Sequence, residues 1–189
     1  MKIINKLKRV FSIPISAYVM RGIAGKNCKF FGVPIINGNR KNIKLGDRVV
    51  INSGKTFNLI GGDVRTILNV IEDGKITIGN HVGISNTTIV SKTSVAIEDD
   101  VMIGGSCKVY DTDFHSLIYD ERMLNPDPGV ASKPILIKKG AFIGAHSVIL
   151  KGVTIGEKAI IGAGSVVAKD VPDEEIWAGN PAKFVKKSR

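Results

Sequence analysis

At 189 residues, 43% hydrophobic, 6% aromatic and with a net charge of +10, the chain has room for one domain with short terminal appendages. No uninterrupted apolar run reaches the roughly 18 residues that a helical membrane span needs. Basic residues are not interleaved with aromatics in any nucleic-acid module, so nucleic acid is not an expected partner. Cys28 and Cys107 form neither a CxxC pair nor a metal-ligand pattern, and two such cysteines fit a reducing, cytoplasmic setting.

Residues 1–22 read as a basic amphipathic segment. Ile3, Ile4, Leu7, Val10 and Phe11 share one helical face, with Lys2, Lys6, Lys8 and Arg9 toward the other. Pro14 ends that helix or begins a new element. Two readings stay open: a cap packed on the domain, or a surface helix that brings residues 1–12 against an anionic membrane, peripheral at its inner face. The apolar stretch is too short and broken for a signal peptide, and no small-x-small cleavage site follows.

Residues 23–172 read as the domain proper. Its early part beats unevenly in sixes: Leu45 leads to Ile51, Ile78 to Ile84 and Val90, and Ile97 to Ile103 and Val109. Slips between these blocks predict loops or irregular corners. From Ile137 the count is unbroken through Ile143, Ile149, Ile155, Ile161 and Val167. Four positions after each aliphatic stands a small or β-branched residue: Ala141, Ser147, Val153, Ala159, Ser165 and Val171. A period of six suits neither an amphipathic helix nor an alternating strand. It is the signature of a parallel β-helix, each hexapeptide forming one flat side of a coil. The expected fold class is therefore all-β, a coil of hexapeptide repeats with short terminal helices and one protruding loop. Coils stack only on their neighbours and bury a thin aliphatic core. Cys107 occupies the small slot of the Ile103 unit and is expected as a buried structural thiol.

The loop is expected where the count fails. Six residues after Val109 an inward slot would hold His115, and burying an unpartnered imidazole costs heavily. The polar run Tyr110-Asp111-Thr112-Asp113-Phe114-His115-Ser116 therefore opens an excursion over about 111–133, with Pro126, Asp127, Pro128 and Gly129 at its far side. Long loops within regular folds are disproportionately functional. His115 sits beside Asp111 and Asp113, and a carboxylate can fix an imidazole's tautomer and tune its basicity; the residues alone leave it open between a catalytic and a structural role. His81 and His146 each follow a ladder aliphatic by three residues and should point outward. No short spacing between histidines suggests a zinc site, so no metal is expected. Residues 173–189 close the chain as a basic tail containing Lys183, Lys186, Lys187 and Arg189.

These residues resemble a known family over roughly 75–186. Asp111-Thr112-Asp113-Phe114-His115-Ser116, the run from Ile143-Gly144-Ala145-His146 to Ile161-Gly162-Ala163-Gly164-Ser165, Lys169-Asp170-Val171-Pro172 and Ala178-Gly179-Asn180-Pro181-Ala182-Lys183 are similar to the hexapeptide-repeat acetyltransferases, the group of maltose, galactoside and capsular-sugar O-acetyltransferases. The resemblance implies a left-handed parallel β-helix, a homotrimer with sites between subunits, and acetyl transfer from acetyl-CoA to a hydroxyl of a sugar or surface-polysaccharide precursor. It makes His115 the general base and places Asn86 and Asp113 on the acceptor side. Phe142, Ala145 and Ala163 would line the pantetheine arm. Ala168 and Lys169 would lie near the adenosine, with alanine where relatives have a hydroxyl, and Lys183 and Lys186 would meet the phosphates. Two alternatives remain: N-acetyl transfer to an amino sugar or nucleotide sugar, and a trimeric zinc hydratase of carbonic-anhydrase type on the same fold.

Overall fold

Two to four extended residues are all that separate one polar corner from the next, so each turn of the chain yields three short strands. The computed structural model describes residues 15–60 and 64–188; the amphipathic reading of residues 1–12 and Pro14 lies outside the described residues. Residues 15–19 are helical. Then β1 (Lys29–Phe31), β2 (Ile35–Asn37) and β3 (Ile43–Leu45) make a first coil. The second is β4 (Val50–Asn52), β5 (Ile67–Val70) and β6 (Lys75–Ile78); the third is β7 (Gly83–Ser85), β8 (Thr88–Ser91) and β9 (Ser94–Ile97). The fourth, β10 (Met102–Ile103), β11 (Lys108–Tyr110) and β12 (Ile135–Ile137), contains the excursion. The fifth is β13 (Phe142–Ile143), β14 (Val148–Ile149) and β15 (Thr154–Ile155), and the last holds β16 (Ile160–Ile161) and β17 (Val166–Val167).

Every third strand pairs in parallel, giving three sheets that form the sides of a prism. Side A begins with β1, side B with β2 and side C with β3. Register stacks the inward residues into columns. Side A carries Phe30, Ile51, Ile84, Ile103, Ile143 and Ile161; side B carries Ile36, Leu68, Ile89, Val109, Ile149 and Val167; side C carries Leu45, Ile78, Ile97, Ile137 and Ile155. The small residues of the repeat are buried at the corners, Ala141, Ser147, Ala159 and Ser165 among them, and Cys107 is buried there as expected. Fully burying one such aliphatic contributes about 1.5–3 kcal/mol. Trimming Ile149, which has no exposed surface, to valine is therefore expected to cost about 1 kcal/mol in chemical denaturation.

Two details depart from the count. Ile89, not Val90, pairs with Val109, because the corner after Ile84 is one residue shorter than the corner after Ile103. Val171 leaves the small-residue role and bridges Ile155 in the side C column. At the C-terminal end a helix was expected, but β18 (Glu175–Ala178) and β19 (Lys183–Lys187) form an antiparallel hairpin. Trp177 stacks in register on Ile161 and Ile176 on Ile160, so this apolar pair extends side A over the last coil.

Corners between sides C and A share a backbone pattern. Arg48, His81, Asp100, Lys158 and Glu174 all have φ between 54° and 61°, the left-handed region that lets a chain turn tightly. The preceding residues form a polar ladder. Lys26 N–H donates to Asp47 Oδ1 at 2.7 Å, Asp47 N–H to Asn80 Oδ1 at 2.8 Å, and Asn80 N–H to Asp99 Oδ1 at 2.6 Å. That last bond is the main reason the Asp99 carboxyl is held below the usual carboxylate range.

Candidate active site

The excursion leaves the corner between sides B and C. Its root is Asp111, fully buried. The Asp111 carboxylate accepts from Ser91 Oγ at 2.9 Å, Lys92 N at 2.7 Å, Thr93 N at 2.8 Å and Thr93 Oγ1 at 2.9 Å. One side chain thus fastens the loop to the corner of the coil below. Above it the two arms of the loop pair: Thr112 bridges Ser132 in antiparallel fashion, and Asp113 N–H donates to Ala131 O at 3.0 Å.

His115 stands on this stalk between two fixed neighbours. Phe114 takes a φ of +64°, uncommon for an aromatic residue, and its ring meets Tyr110 edge-on at 5.2 Å between centroids. Ser116 N–H donates to Asp127 Oδ2 at 2.8 Å, its Oγ donates to Glu121 Oε2 at 2.7 Å, and its carbonyl accepts from Arg122 Nη1 at 2.8 Å. His115 Nδ1 lies 3.6 Å from Asp127 Oδ2, with the imidazole 70% exposed and the carboxylate 11% exposed. The Ser116 amide is the first cause holding the Asp127 carboxyl below the usual carboxylate range; the His115 charge adds to it. A carboxylate on Nδ1 leaves Nε2 to take up a proton. Beneath the loop lies a cavity of about 480 Å³ lined by His115, Asp127 and Arg122 from the loop and by Ile71, Glu72 and Lys92 from the coil.

The lowered Asp127 pKa fixes a sign. Its contribution to loop order is present above the ordinary carboxylate range and is lost as pH falls through the lowered folded-state value. Amide protection over residues 111–133, taken relative to the intrinsic exchange rate at each pH, is expected to fall in acid for the native chain, and to change less across that range in Asp127→Asn.

The residues read from sequence fall into separate groups. Asp113 does not face His115; its Oδ1 pairs with Lys151 Nζ at 2.7 Å, on the next coil. Asn86 is fully buried at the corner between sides A and B, where its Oδ1 accepts from Gly54 N–H at 2.7 Å. Neither lines the cavity under His115. Ala145 and Ala163 stack on that same A–B corner in adjacent coils, the fifth and the sixth, where Gly164 N–H donates to Ala145 O at 2.8 Å. A Cβ on Gly144 would come within 2.5 Å of Ala163 N, so only glycine permits that approach. Phe142 stands on the outer face of side A in register with Met102 and Ile160. Ala168 and Lys169 are exposed at the B–C corner, and Lys183 and Lys186 are exposed on β19.

Within one chain, then, His115 and the pair Ala145 and Ala163 occupy different corners. His81 is exposed on the corner between sides C and A and His146 on the A–B corner beside Ala145, so the three histidines lie apart, and among the described residues no three His, Cys, Asp or Glu side chains could hold a metal ion together. Cys107 is buried with its thiol donating to Gly144 O at 3.2 Å, and burial pushes its pKa up. The partners missed from sequence are Asp127, Arg122, Glu72 and Lys92. The first two lie in the predicted loop, but no periodicity marks which of its residues fold back on His115.

A family model described as bacterial transferase hexapeptide (six repeats) matches residues 134–169. The galactoside O-acetyltransferase of Escherichia coli strain K12 is 37% identical over 101 residues, 53% of this chain and 48% of that protein. The chain spans less than half the length of the curated relatives it first matches. Among solved structures, AntD, an N-acyltransferase from Bacillus cereus in complex with dTDP and 3-hydroxybutyryl-CoA, superposes with a TM-score of 0.73 at 25% identity, over 93% of this chain and 89% of that one. A hexapeptide-repeat acetyltransferase from Vibrio cholerae, complexed with acetyl-CoA, shares the fold with a TM-score of 0.62 at 23% identity, over 98% and 85%. The fold is the left-handed parallel β-helix of hexapeptide repeats.

Proposed function

We propose that this chain, whose residues 134–169 match the hexapeptide transferase model, moves an acetyl group from acetyl-CoA to a hydroxyl of a sugar or surface-polysaccharide precursor, with His115 as general base. The observation that carries this reading is His115 itself: solvent-facing on a fastened loop, with Nδ1 against Asp127. Nε2 takes the proton of the acceptor hydroxyl as its oxygen attacks the thioester carbonyl. The C–S bond then breaks, and the imidazolium returns the proton to the departing CoA thiolate. Base assistance of this kind contributes about 10²–10⁴-fold. A backbone N–H on a flat coil face meets the oxyanion. Cys107, buried and shifted toward the thiol, takes no part.

For the cofactor, Phe142, Ala145 and Ala163 offer a flat wall to the pantetheine arm, since small side chains let it approach the backbone. Ala168 and Lys169 lie toward the adenosine, and Lys183 and Lys186 toward the phosphates. The solved neighbours in complex with acetyl-CoA or a CoA thioester support this choice of donor. Asn86 and Asp113 belong to the acceptor side by shaping the corner and the stalk. Because wall and base stand on different corners, the complete site lies between two copies of the chain, as in a homotrimer. The exposed Leu117, Ile118, Tyr119 and Met123 at the loop tip supply apolar surface for a neighbour to cover.

A second reading is favoured by one observation. AntD is an N-acyltransferase and its structure contains dTDP, so an amino group on a nucleotide sugar is the alternative acceptor. Incubation with acetyl-CoA and a panel of hydroxyl and amino sugars separates the two. The O-acetyl reading predicts CoA release with a product cleaved by mild hydroxylamine. A hydroxylamine-stable product selects the amine, and no CoA release with any acceptor overturns both.

A further inference from the structure

Residues 1–46 carry ten of the 27 basic residues and none of the 17 acidic ones. The remainder of the chain therefore holds seventeen of each, and the whole +10 excess lies in the first quarter of the sequence. The fold turns that sequence bias into a surface. Strands β1, β2 and β3 are the edge strands of their three sheets, so the first coil is one end of the prism. Lys29 and Lys44 project from β1 and β3, Lys26 from the corner between them and Lys41 from the next corner; all four are exposed. Among the described residues none of their ammonium groups makes an ion pair, whereas Lys92, Lys138, Lys139, Lys151 and Lys158 elsewhere on the coil all do. Apolar side chains share this end: Tyr18 is 78% exposed and Ile15 is 53% exposed.

We infer that this end of the coil is a docking surface for an anionic lipid membrane. Unpaired cations gather at a negative surface through long-range attraction, and the single charge of Asp47 beside Lys26 offsets the four lysines only in part. A membrane interface also accepts isoleucine in its acyl boundary and tyrosine at headgroup depth. A nucleic-acid backbone meets the charge but offers nothing to Ile15. The sequence continues the theme outside the described residues, where Ile3, Ile4, Leu7, Val10 and Phe11 alternate with Lys2, Lys6, Lys8 and Arg9. This inference is independent of the acyl-transfer chemistry, because none of the named residues belongs to the candidate site.

Co-sedimentation of the full chain with phosphatidylcholine vesicles, with and without phosphatidylglycerol, tests it. Binding is expected only with the anionic lipid and is expected to fall steeply in high salt. A lysine near such a surface contributes roughly fivefold in partitioning. Replacing Lys26, Lys29, Lys41 and Lys44 by glutamine is therefore expected to weaken binding by more than about 100-fold, with an unchanged circular dichroism spectrum. Ile15→Ser with Tyr18→Ser is expected to weaken it less, and glutamine at Lys138, Lys139 and Lys158 to leave it unchanged. Failure to sediment with anionic vesicles, or full retention by the four-lysine variant, overturns the inference. Displacement from vesicles by a short DNA duplex at lower concentration than free phosphatidylglycerol vesicles require overturns it in favour of a nucleic-acid surface.

Discussion

Replacing His115 by alanine is expected to lower kcat for acetyl transfer by about 10²–10⁴-fold and to leave the folded state nearly as stable as before. The reasons come from one geometry. The imidazole is 70% exposed and its charged partner is Asp127, so truncation empties no core and strands no buried donor. Surface substitutions of that kind change stability by about 0.5 kcal/mol or less. What is removed is the proposed acceptor of the hydroxyl proton in the transition state, and its loss is expected to lower kcat rather than raise KM for acetyl-CoA. Steady-state kinetics with both substrates, paired with a thermal melt, reads the two effects separately. A folded His115→Ala chain with full activity would assign the base elsewhere.

The second large effect concerns stability. Asp111→Ala removes an acceptor that serves four donors at a site with no solvent exposure. Hydrogen bonds to a charged group contribute about 1.5–3 kcal/mol each, and orphaned buried donors add their own desolvation cost. Because Ser91, Lys92 and Thr93 sit on a corner that can relax toward water, the net loss is expected to be about 3–5 kcal/mol in chemical denaturation. The loss should concentrate at the root of the loop, with faster amide exchange over 111–133 and at 91–93 than at the Ile149 column. Activity should fall with it, since His115 is positioned by the stalk that Asp111 anchors. A loss below 1 kcal/mol would mean that the arms Thr112 and Ser132 hold the loop unaided.

Periodicity made the coil legible. A side chain that must point inward once every six residues leaves a trace in sequence whenever its column is continuous, and from Ile137 to Val167 it is. The trace blurred where corners changed length. Dropping one residue after Ile84 moves the inward position from Val90 to Ile89, and both are aliphatic, so composition alone could not choose. The excursion was legible for the opposite reason, as a histidine due in an aliphatic slot. Its interior was not. The contact of Asp127 with His115 depends on how Pro126 to Gly129 fold back, a local closure with no repeat behind it. Nor could sequence separate Asp113 from Asp127 as the partner of His115; the nearer residue in sequence is drawn off by Lys151. The closing hairpin was missed because Trp177 and Ile176 continue side A after the count of six has ended.

The base and the cofactor wall, separated on one chain, are proposed to form a site only between two copies. Mixing two inactive variants tests it directly. His115→Ala lacks the base; Ala163→Trp, at an exposed position, fills the wall. Unfolded together in equal amounts and refolded, they should form mixed trimers in which about a quarter of the sites combine an intact histidine from one copy with an intact wall from its neighbour. Acetyl transfer is expected to recover toward that fraction of the native rate, from the low level of either variant alone. Recovery no greater than the sum of the separate variants would contradict a shared site and place the whole chemistry within one chain.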